Sequence, residues 1–108
     1  MHLRPVEFHI LLALASEERH GYSILQEVAA LTDGELELEP GTLYRALHRM
    51  LKNGWVAESA RRPAADLDDE RRRYYRLTAL GKRIATAEAD RLWRLVGIAR
   101  SHRLLSHG

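Results

Sequence analysis

The stretch Pro40-Gly41-Thr42-Leu43-Tyr44-Arg45-Ala46-Leu47-His48-Arg49-Met50-Leu51-Lys52-Asn53-Gly54 decides the fold. Leu43, Leu47, Met50 and Leu51 recur at helical spacing, which predicts a helix from Pro40 to about Asn53 with these residues on its inner face. Asn53-Gly54 suits a left-handed cap at its end. The opposite face carries Thr42, Arg45, His48, Arg49 and Lys52, and no acid occurs from Pro40 to Asn53. A helix that is apolar behind and basic in front can span a protein core and the phosphates of a DNA major groove. Arg can be bidentate to guanine or phosphate, whereas Lys, Thr, Tyr and His more often meet phosphate. The same pattern also describes the solvated side of an ordinary amphipathic helix, so the flanking sequence has to decide between them.

Upstream, Val6 to Ala15 is apolar on nearly every face and reads as a short central helix, with Pro5 suited to its first turn. Ser16-Glu17-Glu18-Arg19 is a polar break. A second helix is expected from Gly21 to Leu31, with Ile24, Leu25, Val28 and Leu31 on one face. After the turn signal Thr32-Asp33-Gly34, the alternation Glu35-Leu36-Glu37-Leu38-Glu39 predicts a short half-buried strand. Downstream, Trp55–Ser59 and Arg72–Leu77 read as antiparallel strands joined by a long polar loop containing Pro63. Alternation puts Arg72, Tyr74 and Arg76 on one face of the second strand, and Arg73, Tyr75 and Leu77 on the other. A basic hairpin after the third helix can straddle a neighbouring DNA backbone or minor groove. Alternatively, Tyr75 and Leu77 belong to the core and the arginines pair with Asp66, Asp68, Asp69 and Glu70. Thr78 is the expected N-cap of a last helix from Ala79 to about Ser101.

The helix–helix–strand–helix–strand–strand–helix order is that of a winged helix-turn-helix: mainly α, with a small β-hairpin wing and a long C-terminal helix. Residues 1–78 would form the DNA-binding domain and 79–108 a dimerisation helix and tail. The net charge of +2 hides an asymmetry, because residues 1–60 carry five Lys/Arg against nine Asp/Glu and residues 61–108 carry twelve against six. Phosphate would therefore be met through one basic surface rather than by a coat of charge. The absence of cysteine excludes disulfides and thiolate metal sites. The start, Met1-His2-Leu3-Arg4-Pro5-Val6, reads as no signal peptide, and no apolar run reaches about 20 residues, so a cytoplasmic protein without membrane contact is expected.

Four blocks resemble the PadR family of bacterial transcriptional regulators, in that family's order and spacing. They are His20-Gly21-Tyr22-Ser23-Ile24-Leu25, Gly41-Thr42-Leu43-Tyr44-Arg45-Ala46-Leu47, Asn53-Gly54-Trp55-Val56 and Arg73-Tyr74-Tyr75-Arg76-Leu77-Thr78-Ala79-Leu80-Gly81-Lys82. A single C-terminal helix is similar to the compact subgroup of the family. The resemblance implies a homodimer that usually represses transcription by occupying an operator. It assigns DNA contacts to Tyr22, Ser23, Thr42, Tyr44 and Arg45, with His48 and Lys52 following on the same helix, and a wing contact to Arg73. Tyr44 fits either the phosphate backbone or packing beneath its helix. The loop from Arg61 to Glu70 is where the chain departs most from the family's pattern.

A 23-residue last helix would be about 35 Å long and should overhang the domain. Around Ile84, an arc of about 180° gathers Leu80, Ala87, Leu92, Leu95, Val96, Ile98 and Ala99. Its expected use is a twofold dimer through Ile84, Leu92, Leu95, Val96 and Ala99, which sets two recognition helices about 34 Å apart on a palindromic operator. The other reading is a helix that covers only its own core. Glu88 and Arg91 interrupt the arc and are candidates for intersubunit pairs. Trp93 lies opposite the stripe. Some members of the resembled family hold flat aromatic ligands between aromatic side chains, which would make Trp93 a ligand residue, against the plainer reading of packing.

Histidines at 2, 9, 20, 48, 102 and 107 form no metal-ligand spacing, and no phosphate loop or nucleophile motif occurs, so neither an enzyme nor a cofactor is expected. His9 reads as a hydrogen-bonded core residue. The alternative function is a winged-helix module that docks another protein through the same broad apolar helix.

Overall fold

The structure, a computed structural model, describes residues 3–59 and 73–106. The loop from 61 to 70, Arg71, Arg72 and the arginine pairings with Asp66, Asp68, Asp69 and Glu70 lie outside the described residues.

The first helix, α1 (Pro5–Ser16), begins where Arg4 donates its backbone N–H to Glu7 Oε1 at 2.9 Å, so a carboxylate in the first turn satisfies the amide ahead of the helix. It packs against α2 (Gly21–Leu31), α3 (Pro40–Lys52), the sheet and α4 (Ala79–Ser101), which explains a helix apolar on nearly every face. Ile10, Leu11 and Leu14 join Ile24, Val28, Leu43, Leu47, Met50, Trp55, Val56 and Tyr75 in one core. Ala46 is buried with them on the inner face of α3. Several residues depart from the sequence reading, among them Leu31, which is exposed at the end of α2. Leu12 stays exposed on α1, and His9 is half-buried at the helix surface, with Nδ1 donating to Pro5 O at 2.7 Å.

The strands differ more. No strand forms over Glu35–Glu39, and the polar break instead supplies β1 (Arg19–His20), ahead of α2. With β2 (Val56–Glu58) and β3 (Tyr74–Leu77) it makes an antiparallel sheet in the order β1-β3-β2. Arg19 pairs with Tyr75 and His20 with Tyr74, while Val56, Ala57 and Glu58 pair with Leu77, Arg76 and Tyr75. Both edges of β3 are thereby occupied, which leaves the 35–39 segment without that partner. Its alternation still sorts the faces, because Leu36 and Leu38 pack on the core and the three glutamates are exposed. The segment starts from two consecutive left-handed residues, Asp33 (φ 52°) and Gly34 (φ 80°), and Leu36 N–H is held by Thr32 Oγ1 at 3.0 Å.

α3 ends in a Schellman cap, with Trp55 N–H on Met50 O at 2.9 Å and Gly54 N–H on Leu51 O at 3.1 Å. The left-handed residue is Gly54 (φ 78°), while Asn53 stays right-handed. Beyond it, Thr78 binds the wing root to α4. Its Oγ1 accepts from Gly81 N–H at 3.0 Å and donates to Gly54 O and Trp55 O, at 2.6 and 2.9 Å. Gly81 is the buried residue of α4, and a Cβ there would run into the Trp55 carbonyl and the Leu77 side chain.

Among the described residues, the first part of α4 packs on the core through Leu80, Ile84 and Ala85. Farther out, Leu92, Val96 and Ala99 are half-buried, and Leu95 and Ile98 are 47% and 55% exposed. The overhang gives the chain a long axis of 55 Å. Glu88 and Arg91 engage each other within the helix, with two hydrogen bonds of 2.7 Å. These bonds hold the Glu88 carboxyl below its ordinary pKa and raise that of the Arg91 guanidinium.

Because the obstacle at Gly81 is backbone, a Gly81→Ala protein should lose about 3 kcal/mol of stability, measured by urea unfolding. Leu95→Ala on the overhang should leave monomer packing nearly unchanged.

Candidate nucleic-acid interface

The buried stripe of α3 fixes which of its side chains face outward. Arg45, His48 and Lys52 are exposed at successive turns, and Thr42 is half-buried at the first turn. Arg45 lies back toward the helix start, where its guanidinium donates to Thr42 Oγ1 at 3.4 Å and passes over Gly41. Arg49 sits at the boundary of this face. Its Nε is buried 3.5 Å from Glu7 Oε2, the second oxygen of the carboxylate that closes α1, so Arg49 ties α3 to α1. Lys52 and Arg49 both fall in the last turn, where cations favour the helix dipole.

Tyr44 packs beneath α3. Its hydroxyl and ring tip fill the space that a side chain on Gly21 would need, which brings α3 directly onto the start of α2. There Tyr22 is 60% exposed and points outward, while Ser23 turns inward. The Ser23 hydroxyl accepts from Arg19 Nη1 at 3.0 Å, and its backbone N–H donates to His20 Nδ1 at 3.1 Å. On the wing, Arg73 is exposed and lies 3.5 Å from Glu58 on the neighbouring strand, a diagonal cross-strand pair. Arg76 is exposed and Tyr75 is buried, so β3 divides its faces as the alternation predicts.

Tyr44 thus joins α3 to the start of α2, where Tyr22 stands exposed. Ile84, by contrast, packs into the core, and Leu92, Leu95, Val96 and Ala99 lie along the overhang. Trp93 is 69% exposed on the same helix. Among the described residues no group of acids and histidines could hold a metal, and no helix is long and apolar enough to cross a membrane.

Arg19 carries a role that the sequence reading missed. Its side chain is largely buried and donates to Ala13 O at 2.8 Å and Ser16 Oγ at 3.2 Å, in addition to Ser23. Glu17 and Glu27 lie 3.3 and 3.6 Å away. One guanidinium therefore closes the C-terminal end of α1 and fixes the start of α2. The available signal was local: Ser16 and Ser23 stand three residues before and four after this arginine of the polar break.

Two helices joined by a turn, the second with a basic outer face and followed by an antiparallel hairpin, define a winged helix-turn-helix protein. Residues 10–87 match the transcriptional regulator PadR-like family, and the chain belongs to that family. The family is one of transcriptional regulators and not of enzymes. The chain is 35% identical over 83 residues to a transcriptional regulator of Mycobacterium tuberculosis, a match covering 77% of this chain and 71% of that protein. It is 34% identical over 74 residues to an uncharacterised protein of Lysinibacillus sphaericus, where the match covers 68% of this chain and 64% of that protein. Among solved structures, a transcriptional regulator from Clostridium thermocellum superposes with a TM-score of 0.73 at 27% identity, over 90% of this chain and 87% of that one. PadR of Bacillus subtilis, solved in complex with operator DNA, shares the fold with a TM-score of 0.67 at 21% identity, over 80% of this chain and 47% of that one.

Replacing Arg19 with Ala should remove about 2–3 kcal/mol of stability, the range for hydrogen bonds made by a charged group, in a urea titration. Arg19→Lys should recover less than half of the loss, because an ammonium cannot reproduce the planar fork.

Proposed function

We infer that this chain is a sequence-specific DNA-binding regulator that occupies a palindromic operator as a homodimer and represses transcription in the cytoplasm. The observation that carries the reading is the acid-free outer face of α3, where Arg45, His48 and Lys52 stand exposed. A basic face at the end of a rigid three-helix core is the electrostatic footprint of a major-groove reader. That Bacillus subtilis PadR, which shares the fold, was solved in complex with operator DNA supports the reading. In this reading Arg45 reads a base edge, Thr42, His48, Lys52 and Tyr22 meet phosphate, and Arg73 exchanges Glu58 for the backbone beside the wing.

The second element of the reading is the dimer. Residues 1–78 act as the DNA-binding unit and 79–108 as the dimerisation helix and tail. Leu92, Leu95, Val96, Ile98 and Ala99 form a continuous apolar strip beyond the region that packs on its own core. Isologous pairing of two such strips covers both at once and closes the assembly. The strip also suits a different protein partner, which is the alternative function. Trp93, exposed on the same helix, is the residue through which a flat aromatic effector would act.

In vitro selection from a random duplex pool should enrich a sequence with twofold symmetry, bound by two protomers per site. Affinity should fall steeply with salt, at a log–log slope of about −0.9 per phosphate neutralised. Arg45→Ala should cost about 1–3 kcal/mol and relax specificity at one base pair, whereas Lys52→Ala should weaken all sequences alike. Light scattering should give the mass of two chains, and Leu95→Asp should reduce it to one. No enrichment together with a two-chain mass would favour the protein-docking alternative.

A further inference from the structure

His20 touches both the outward tyrosine of α2 and a tyrosine of the wing strand. Its imidazole Nδ1 accepts the Ser23 N–H at 3.1 Å and so caps α2. The ring lies nearly parallel to Tyr22, at 14° with centroids 6.5 Å apart. It also meets Tyr74 of β3 edge-on, at 81° and 5.4 Å. The His20 backbone is paired with Tyr74 as well. Because Nδ1 accepts a hydrogen bond, it carries no proton and the neutral ring is the capping form. The cap holds one edge of the imidazole, and the ring lies in contact with both tyrosines.

We propose that His20 is a positioning residue for DNA binding: its capped ring sets Tyr22 and the wing strand at a fixed separation before DNA arrives. The inference rests on the DNA-binding reading above. Neither α2 nor β3 needs His20 in order to fold, since Arg19 ties α2 to α1 and β2 pairs with β3 along its other edge. What the ring adds is orientation between two surfaces that would bind different parts of one duplex. Without it, the Tyr22 and Tyr74 side chains have to be ordered relative to each other at the moment of binding.

Two substitutions separate the ring from the cap. In His20→Asn, Oδ1 stands at the same bond separation from Cα as Nδ1, so the cap is retained and the aromatic ring is lost. In His20→Phe the ring is retained and the cap is lost. Each is compared with wild type for thermal midpoint and for affinity toward a duplex selected by the wild-type protein from a random pool. The expected pattern is crossed. His20→Asn keeps the midpoint near that of wild type but loses about tenfold in affinity, the penalty of ordering two elements on binding. His20→Phe drops the midpoint by several degrees and stays within about threefold in affinity. Wild-type affinity in His20→Asn would overturn the proposal, as would an affinity that simply follows the midpoint in both variants. If the wild-type protein enriches no duplex, the DNA-binding reading falls and this inference falls with it.

Discussion

The arrangement of the first two helices depends on the Arg19 guanidinium. Helix α1 ends without a left-handed cap, and its carbonyls need donors that water would supply poorly beside a packed core. Arg19 supplies one from the following strand and at the same time holds Ser23 in the first turn of α2. Glu17 and Glu27 balance the charge, so a largely buried cation is both hydrogen-bonded and paired. The direction in which α2 leaves α1 is set at this point. Through Gly21 and Tyr44, that direction determines where α3 lies.

Much of this was readable from residues alone, for specific reasons. The extents of α2 and α4 are written in local signals: helical spacing of Ile24 and Val28, Thr78 as the N-cap of α4, and a long apolar arc beginning at Leu80, whereas the His20 cap of α2 appears only in the structure. The inner stripe of α3 emerged because Leu43, Leu47 and Met50 have no competing apolar residues on the opposite face. The winged-helix class followed from element order together with four family blocks. β1 was not readable, since two residues carry no periodicity and strand character there arises only from pairing with Tyr74 and Tyr75. The 35–39 segment failed for the complementary reason. Its alternation reports burial of Leu36 and Leu38 faithfully, but burial on alternate sides does not create a hydrogen-bonding neighbour.

The candidate site divides in the same way. Exposure of Arg45, His48 and Lys52 follows from the stripe behind them, so sequence periodicity was sufficient. Arg49 lies on the same helix yet turns toward Glu7, a partner from another element that no local pattern reports, while Ser23 turns toward Arg19, four residues before it. Tyr44, for which two placements were open, packs inward because Gly21 leaves room for its ring. A cation or hydroxyl on a polar face is thus an outward group only if no buried acid or arginine lies within reach behind it.

The contact of Gly81 with the Trp55 carbonyl, reinforced by Thr78, leaves α4 no hinge at its base. A stiff rod anchored this way acts as a lever whose short arm is the wing root and whose long arm is the apolar overhang. Torque applied near Leu95 or Ile98 cannot dissipate in the first turn and has to be carried into β2 and β3. In the proposed dimer, the tilt between paired rods would govern the pitch of the wings against a duplex, so an event at the far end of α4 would alter DNA occupancy without approaching the recognition helix.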